Sequence, residues 1–250
     1  LIAQEHHEPE AEHSGGAEAI NHVFNSSYLD ITTVTGRNHY ITSNIDEAPA
    51  LMAAGKLDLL GCVNSLASCG KEGYVTSQSI ADTISPRTAL ISLSWANGLT
   101  GVVQPISEIA QLCKLRSISF HVDATHVLGK LYYDLTEAGP DFITFNGDNL
   151  HAPPGTGGLL IRSGVRCSSF ILGGIEQGGH RAGTVNVPGL IALGTAAQES
   201  FEQRDFMCTE IARLRNHLEE GILAKVPEAT VFFREQERVP HITAIGFPGV

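Results

Sequence analysis

The chain has 250 residues, 42% of them apolar, and carries 26 Gly and 11 Pro, which suits one large globular domain or one domain with part of a second. Its formal charge of −11 argues against binding to nucleic acid, because phosphate contacts need clustered Lys and Arg. No apolar run reaches the roughly 18 residues of a membrane span, and no signal-peptide pattern is visible. These features predict a cytoplasmic protein without a membrane partner.

Cysteine and histidine spacing does not predict a metal site or a disulfide framework. The five cysteines lack any CxxC pair and are interpreted as buried free thiols. They are Cys62, Cys69, Cys113, Cys167 and Cys208. Three histidines near the start, His6, His7 and His13, match neither a helical i, i+4 pair nor a finger spacing.

The stretch SGGAEA (residues 14–19) places two glycines before a predicted helix. Free N–H groups and the helix dipole at such a turn suit a phosphate. The segment before it, EPEAEH, lacks apolar residues expected of a strand.

The middle of the chain alternates strand and helix patterns. Strand character is predicted for ALISLSW (89–95), SISFHVDA (117–124), DFITF (141–145) and GGLLIR (157–162). Between the first two, Ile106, Ile109, Ala110 and Cys113 form one stripe of a helix. This order predicts the α/β class: a mainly parallel sheet with helices on both faces and right-handed crossovers.

The last part of the chain is predicted to be mostly helical. Val187, Leu190, Ile191, Ala197 and Phe201 fit one helix face, and Met207, Ile211, Leu214, Leu218 and Ile222 fit a second. VPEATVFF and HITAIGF then read as two strands. We therefore divide the chain into a large α/β domain (1–204) and a linking helix with the first strands of a small α+β domain (205–250).

Ligands of open parallel sheets bind beyond the carboxyl ends of the strands. Candidates there are Asn97 and Gly98, Asp123, and the loop NGDNLHAPPGTGG (146–158). Laid on the phosphate loop of nucleotide hydrolases, G-x-x-x-x-G-K-[ST], this loop has Ala152 for the first glycine, Gly158 for the lysine and Leu159 for the hydroxyl. Since the lysine and hydroxyl act on the phosphates and the metal, we reject a nucleotide loop.

Several longer stretches carry a different resemblance. SGGAEAIN (14–21) is similar to SGGTEANN, FHVDATHVLGK (120–130) to FHTDAVQAVGK, and GGIEQGGHRAGTVNVPG (173–189) to GGGQERGRRSGTENVPG. From about residue 14 onward the chain resembles the cysteine desulfurases of the class V aminotransferase group, which are fold-type I enzymes dependent on pyridoxal phosphate. The resemblance implies the large-domain fold of these enzymes.

The resemblance also implies a partly retained cofactor site. Asp123 stands where the family's aspartate pairs with the pyridine nitrogen. Gly15 and Gly16 stand in the turn that meets the phosphate. Thr184 matches a threonine that reaches the phosphate from the neighbouring subunit.

Other positions depart from the family's pattern. Asn149 stands at the Schiff-base lysine, and an amide cannot form an imine with an aldehyde. Glu47 replaces the histidine that stacks on the ring. The remaining departures are Ala17 for a phosphate-binding threonine, Gly98 for an asparagine, His126 for a glutamine, Asn146 for a phosphate-binding serine, and Asp148 for a histidine.

The implied function has alternatives. One is a desulfurase-like pseudoenzyme, binding pyridoxal phosphate weakly or not at all, that forms a homodimer or pairs with an active relative or a sulfur acceptor protein. A second is an active desulfurase or aminotransferase that uses a lysine or cysteine outside this segment. A third is a changed site in which Asp123, Asp148, His126 and Glu47 form an acidic pocket for a cationic ligand or divalent metal.

Overall fold

The computed structural model describes the backbone of residues 7–133 and 139–249, and side chains from residue 11 onward. Of the three early histidines, His6 lies outside the described residues. A seven-stranded sheet and an α/β order account for most of the described chain. The strands of this sheet are β1 (His7–His13), β2 (His39–Ser43), β3 (Val63–Ala67), β4 (Thr88–Ser94), β5 (Ser119–Asp123), β6 (Phe142–Asn146) and β7 (Gly157–Arg162).

The strand order is β1-β7-β6-β5-β4-β2-β3. Neighbours from β3 to β6 run parallel, while β7 is antiparallel to both β6 and β1. The parallel strands therefore end at one edge, where β2, β4, β5 and β6 deliver Ser43, Ser94, Asp123 and Asn146. This confirms the predicted α/β class with a mostly parallel sheet.

Six helices of seven or more residues accompany the strands in the described ranges. They are α1 (Gly16–Ser27), α2 (Ala48–Asp58), α3 (Ser77–Thr83), α4 (Ile106–Arg116), α5 (Val187–Glu202) and α6 (Ala212–Lys225). A π-helical segment, Tyr28–Thr32, extends α1, and another, Met207–Ile211, leads into α6.

The buried residues form two apolar clusters. One contains Val23 and Phe24 of α1 with Ala53 and Leu57 of α2, packed on strand residues such as Leu90. The other contains Ile80 of α3, Ile109 of α4 and Leu193 of α5, packed on strand residues such as Ile91. Leu90 and Ile91 are adjacent in β4, and successive strand residues point to opposite faces. Helices therefore cover both faces of the sheet, as predicted.

The predicted stripe of α4 is confirmed, since Ile106, Ile109, Ala110 and Cys113 are all buried. The predicted face of α5 is wrong. Ile191 and Phe201 are 67% and 50% exposed, whereas Gly189, Leu193 and Ala196 are buried. The helix has apolar residues around much of its circumference, so its pattern could not select the face that meets the sheet.

The predicted second helical face is also largely exposed, with Leu214 and Leu218 about half exposed. The buried residue of α6 is Glu219, held by Arg238 Nη1 at 2.9 Å and Thr243 Oγ1 at 2.6 Å. The expected C-terminal strands are present as a short antiparallel pair, β8 (Thr230–Val231) and β9 (Ile245–Gly246), in a separate sheet.

A strand also exists where the sequence did not favour one. β1 pairs with β7 along its length, with one irregularity between Pro9 and Ala11. Ala11 and His13 are buried, at alternate positions of the strand. Backbone hydrogen bonds to β7 stabilise this strand in place of a large apolar face.

Candidate functional site

The turn before α1 meets the carboxyl end of β6. The amide of Gly16 donates to Asn146 Oδ1 at 3.4 Å. A Cβ at Gly15 would lie 3.2 Å from the same oxygen, and one at Gly16 would lie 3.5 Å from Thr125 Oγ1. Side chains from two strand ends thus approach the backbone of this glycine turn, and the N–H of Gly16 is engaged by Asn146.

Asp123 ends β5 and is buried beside this turn. Its Oδ1 accepts hydrogen bonds from Thr125 N at 3.1 Å and Thr125 Oγ1 at 2.7 Å. Burial raises the pKa of this carboxyl, and the nearby Glu47 carboxylate adds to the rise, although the two Thr125 bonds oppose it. Asp123 is therefore a buried acid whose charged form would gain from a cationic partner.

Glu47 and His126 form a hydrogen-bonded pair across the edge of the sheet. Glu47 precedes α2, and its Oε1 lies 2.7 Å from His126 Nε2. The hydrogen bond from His126 lowers the pKa of Glu47. On the other side of the ring, Asn149 Nδ2 lies 3.5 Å from His126 Nδ1. Glu47, His126 and Asn149 thus form one connected polar group.

Gly98 lies directly against the Glu47–His126 pair. A Cβ at residue 98 would be 2.3 Å from Glu47 Oε1 and 2.5 Å from His126 Nε2. Such distances are far inside van der Waals contact. The absence of a side chain at residue 98 therefore makes room for the pair.

Other candidate residues lie apart from this centre. Asn97 binds its own turn, since its Oδ1 accepts from Leu99 N and Thr100 N while its Nδ2 donates to Ile45 O. Ala17, Asp148 and Thr184 are exposed. The four groups proposed for an acidic pocket are only partly assembled: Asp123, Glu47 and His126 interact, whereas the charge of Asp148 acts on Lys130.

Lys130 is the one buried lysine of five. Its Nζ donates to the main-chain carbonyl of Asn149 at 2.8 Å. Burial lowers its pKa to about 8. The lysine thus stabilises the loop after β6 through a hydrogen bond to its main chain.

Comparison with known proteins identifies the family of this site. The profile of the aminotransferase class-V family matches residues 13–250. The chain belongs to the aminotransferase class-V family. A cysteine desulfurase of Nostoc sp. is 35% identical over 211 residues, which are 84% of this chain and 53% of that protein. A cysteine desulfurase of Gluconacetobacter diazotrophicus is 33% identical, over 94% of this chain and 58% of that protein.

Solved structures of similar proteins share the fold. A NifS-like protein superposes with a TM-score of 0.90 at 25% identity, over 96% of this chain and 65% of the other. DndA from Streptomyces lividans superposes with a TM-score of 0.85 at 28% identity, over 95% of this chain and 67% of the other. The chain spans just over half the length of the two cysteine desulfurases, from Nostoc sp. and Gluconacetobacter diazotrophicus. None of the helices within residues 7–133 and 139–249 is long and apolar enough to cross a membrane.

Two features of this class-V site escaped sequence reasoning. Asp46, next to Glu47, is buried and accepts from Ser43 N and Ser94 N, both at 2.7 Å, so it joins the ends of β2 and β4. Burial raises its pKa to about 6. Its position next to a strand end was the one available signal.

The second feature is an ion pair between the first turn of α1 and the segment RAGT (residues 181–184). Glu18 Oε1 lies 2.8 Å from Arg181 Nε, and Glu18 Oε2 accepts from Ser14 N at 2.6 Å. Burial alone would raise the pKa of Glu18, but the bonds from Arg181 and Ser14 lower it to about 2. The pair joins α1 to the segment that contains Arg181.

Proposed function

We propose that this chain is a cysteine desulfurase-like protein that has lost Schiff-base chemistry and acts by binding, as a non-catalytic partner or scaffold. The connected group Glu47–His126–Asn149 carries the proposal. It stands where the family resemblance assigns the ring-stacking histidine, a ring-contacting glutamine and the Schiff-base lysine. A carboxylate, an imidazole and an amide contain no primary amine, so these three side chains cannot form an imine with an aldehyde.

Enzymes of this family depend on pyridoxal phosphate, and this site fits two ends of that cofactor. Asp123 is buried with a raised pKa, so a protonated pyridine nitrogen would supply the cation that favours its charged form. A helix N-terminus such as the start of α1 suits a phosphate, although Gly16 N here donates to Asn146 Oδ1 and Ser14 N donates to Glu18 Oε2. These features support residual affinity for the cofactor or for a similar aromatic phosphate.

The aldehyde end does not fit. Asn149 presents an amide, and the Glu47–His126 pair lies against Gly98 in the space beside it. Glu47 also places a negative charge near Asp123, which disfavours a second anion. Asn149 and the Glu47–His126 pair therefore support no covalent bond to the cofactor's aldehyde.

The remaining lysines do not supply a substitute amine. Lys130 is buried and binds the Asn149 carbonyl, and the other four, Lys56, Lys71, Lys114 and Lys225, are exposed. Lys130 is nevertheless the lysine to test for imine formation, because a pKa of about 8 leaves part of its amine neutral and nucleophilic at neutral pH.

We infer that the binding partner is a second copy, an active relative or a sulfur acceptor protein. Thr184 is exposed, three residues after Arg181, in the segment through which family members reach a neighbouring subunit. Apolar side chains of α5, among them Ile191 and Phe201, are exposed nearby in sequence. Exposed apolar groups of this kind favour association.

An active pyridoxal-phosphate enzyme is the second candidate. The observation in its favour is coverage: the matched desulfurases are almost twice as long as the aligned region, and a lysine or cysteine outside this segment could complete a site. A third candidate, a cation site, is favoured only by the proximity of Asp123, Glu47 and His126.

A spectrum and a trapping reaction distinguish these candidates. The purified chain is incubated with pyridoxal phosphate, its visible spectrum is recorded, and borohydride-reduced samples are digested and mapped. The proposal expects no internal aldimine band and no modified lysine. An aldimine trapped on Lys130 or on any other lysine would refute the loss of Schiff-base chemistry. Lys130→Arg, which keeps the charge but cannot form the imine, is the matched control.

A further inference from the structure

We propose that His22, Cys167 and His180 form a binding site for a single zinc-like divalent cation, which shares no residue with the Glu47–His126 pair. The three ligand atoms lie within 4.8 Å of one another. His22 is fully buried in α1, Cys167 is half-buried after β7, and His180 is half-buried at the end of the turn Glu176–Gly179. Three separate segments therefore converge on one point.

The donor set matches a borderline cation. Two imidazoles and one thiolate are ligands that Zn²⁺ prefers, usually with a fourth ligand in tetrahedral geometry. Zn–N and Zn–S bond lengths in that geometry put nitrogen and sulfur about 3.5 Å apart. His22 Nε2 and Cys167 Sγ are 3.4 Å apart. The spacing of this pair is already that of two ligands on one ion.

The hydrogen bonds around His22 provide a second, independent argument. Ala11 O lies 3.0 Å from His13 Nδ1, His13 Nε2 lies 3.0 Å from His22 Nδ1, and His22 Nε2 lies 2.9 Å from Ser168 O. Each of these three contacts needs a hydrogen between its two heavy atoms. The carbonyls carry none, and two neutral imidazoles carry only two.

One of these three contacts must therefore lack a proton, and at His22 Nε2 either the Cys167 thiol, whose Sγ lies 3.4 Å away, or a cation can meet the lone pair. If His13 Nδ1 donates to Ala11 and His22 Nδ1 donates to His13, then His22 Nε2 faces the Ser168 carbonyl with its lone pair. A metal ion on His22 Nε2 resolves the deficit, since the ring's other nitrogen then donates to a fixed partner, as metal-bound histidines do. The Ser168 carbonyl or a water supplies the fourth position.

The surroundings of the site are polar on one side and apolar on the other. The Asp30 carboxylate lies next to the site, accepting from Ser168 N and Oγ at 2.7 Å each and pairing with Arg166 Nε at 2.8 Å. Phe170 stacks on His22 at 5.3 Å and provides an apolar shell.

Occupation of this site would tie α1, which begins at the phosphate turn, to the segment that leads into RAGT. It would also release one proton, from the thiol of Cys167, for each ion bound. Neither consequence depends on the cofactor chemistry of the proposed function.

The test uses Co²⁺ as a spectroscopic probe on the full chain after treatment with a chelator. Wild type is expected to bind one equivalent with a thiolate-to-cobalt charge-transfer band, and Zn²⁺ is expected to displace it. Cys167→Ser should abolish the band, and His180→Gln should weaken binding at least tenfold. Cys208→Ser, a change at another half-buried thiol, should leave the band unchanged.

A second measurement covers the case in which Cys167→Ser fails to fold. Alkylation of Cys167 in the wild-type chain, mapped by mass spectrometry, should slow markedly when Zn²⁺ is added, while alkylation of Cys69 should not change. Absence of stoichiometric binding, a charge-transfer band that persists in Cys167→Ser, or equal alkylation of Cys167 with and without Zn²⁺ would each overturn the proposal.

Discussion

The carboxylate of Glu47 lies 2.7 Å from Nε2 of His126, although the two residues are 79 positions apart in the chain. The pair bridges the N-terminus of α2 and the turn after β5, and it occupies the space next to Gly98. Three positions that the family resemblance marks as departures from its pattern are thus physically linked. A substitution at one of these three residues should therefore affect the other two.

Gly98→Ala should destabilise the chain by about 1 kcal/mol, because the new methyl group would force the Glu47–His126 pair apart. The cost is modest because the pair is partly exposed and both side chains can move. Urea unfolding provides the free energy of unfolding. In a Glu47→Ala/His126→Ala background the same substitution should cost little.

Gly55→Ala is the matched control for that experiment. Gly55 lies in α2 with nothing within 4 Å of its Cβ position. The substitution should stabilise the chain by about 0.5–1 kcal/mol through helix propensity. An equal cost for Gly98→Ala in both backgrounds would show that the pair does not occupy this space.

Asn149→Lys alone should restore little cofactor binding. The Glu47–His126 pair remains in the site, and Ala17, Asn146 and Asp148 still depart from the family pattern. Absorbance spectra after addition of pyridoxal phosphate should show only a minor aldimine band. A chain that also carries Glu47→His and His126→Gln should show a stronger one. A strong yellow colour in the single variant would contradict the proposed loss of the site.

Asp123→Asn should leave stability within about 1 kcal/mol of wild type, or raise it. The amide oxygen can still accept both bonds from Thr125, and the substitution removes a buried charge whose pKa is already raised. Thr125→Val, which deletes the hydroxyl donor, should cost about 1–3 kcal/mol. Thermal melts without added ligand test both. A large loss in Asp123→Asn would indicate a bound ligand or a further hydrogen bond.

The Glu18–Arg181 pair should make stability depend on pH in the acid range. The pKa of Glu18 is about 2 in the folded chain and 4.5 when unperturbed, so the folded state binds fewer protons than the unfolded state between these values. The stabilisation is therefore complete above pH 4.5 and is lost as pH falls towards 2.

Glu18→Gln should cost about 1–2 kcal/mol at neutral pH, and the difference from wild type should shrink as pH falls through that window. Free energies of unfolding between neutral pH and the lowest pH at which both chains fold measure it. Glu210→Gln removes an exposed i, i+3 partner of Arg213 and should have almost no effect. A difference that stays constant with pH would exclude the ion pair as its source.

The sequence by itself determined the α/β class, the strands β4 to β7, and the buried stripe of α4. These elements have strong local patterns: short apolar runs bounded by turns, and apolar residues at i, i+3, i+4 and i+7. It also indicated Gly15, Gly16, Asp123 and Asn146 as candidates, since they stand at strand ends and helix starts where open sheets bind ligands.

Only the tertiary structure decided which face of α5 is buried and which distant side chains meet. Ile191 and Leu193 are equally apolar, yet one is exposed and the other buried, because packing on the sheet selects the face. β1 forms because β7 offers it a hydrogen-bonding edge. Glu47 meets His126, and His22 meets Cys167 145 residues away, through the order of strands in the sheet. The spacing of residues along the chain does not predict such contacts, because they depend on which segments pack side by side in the fold.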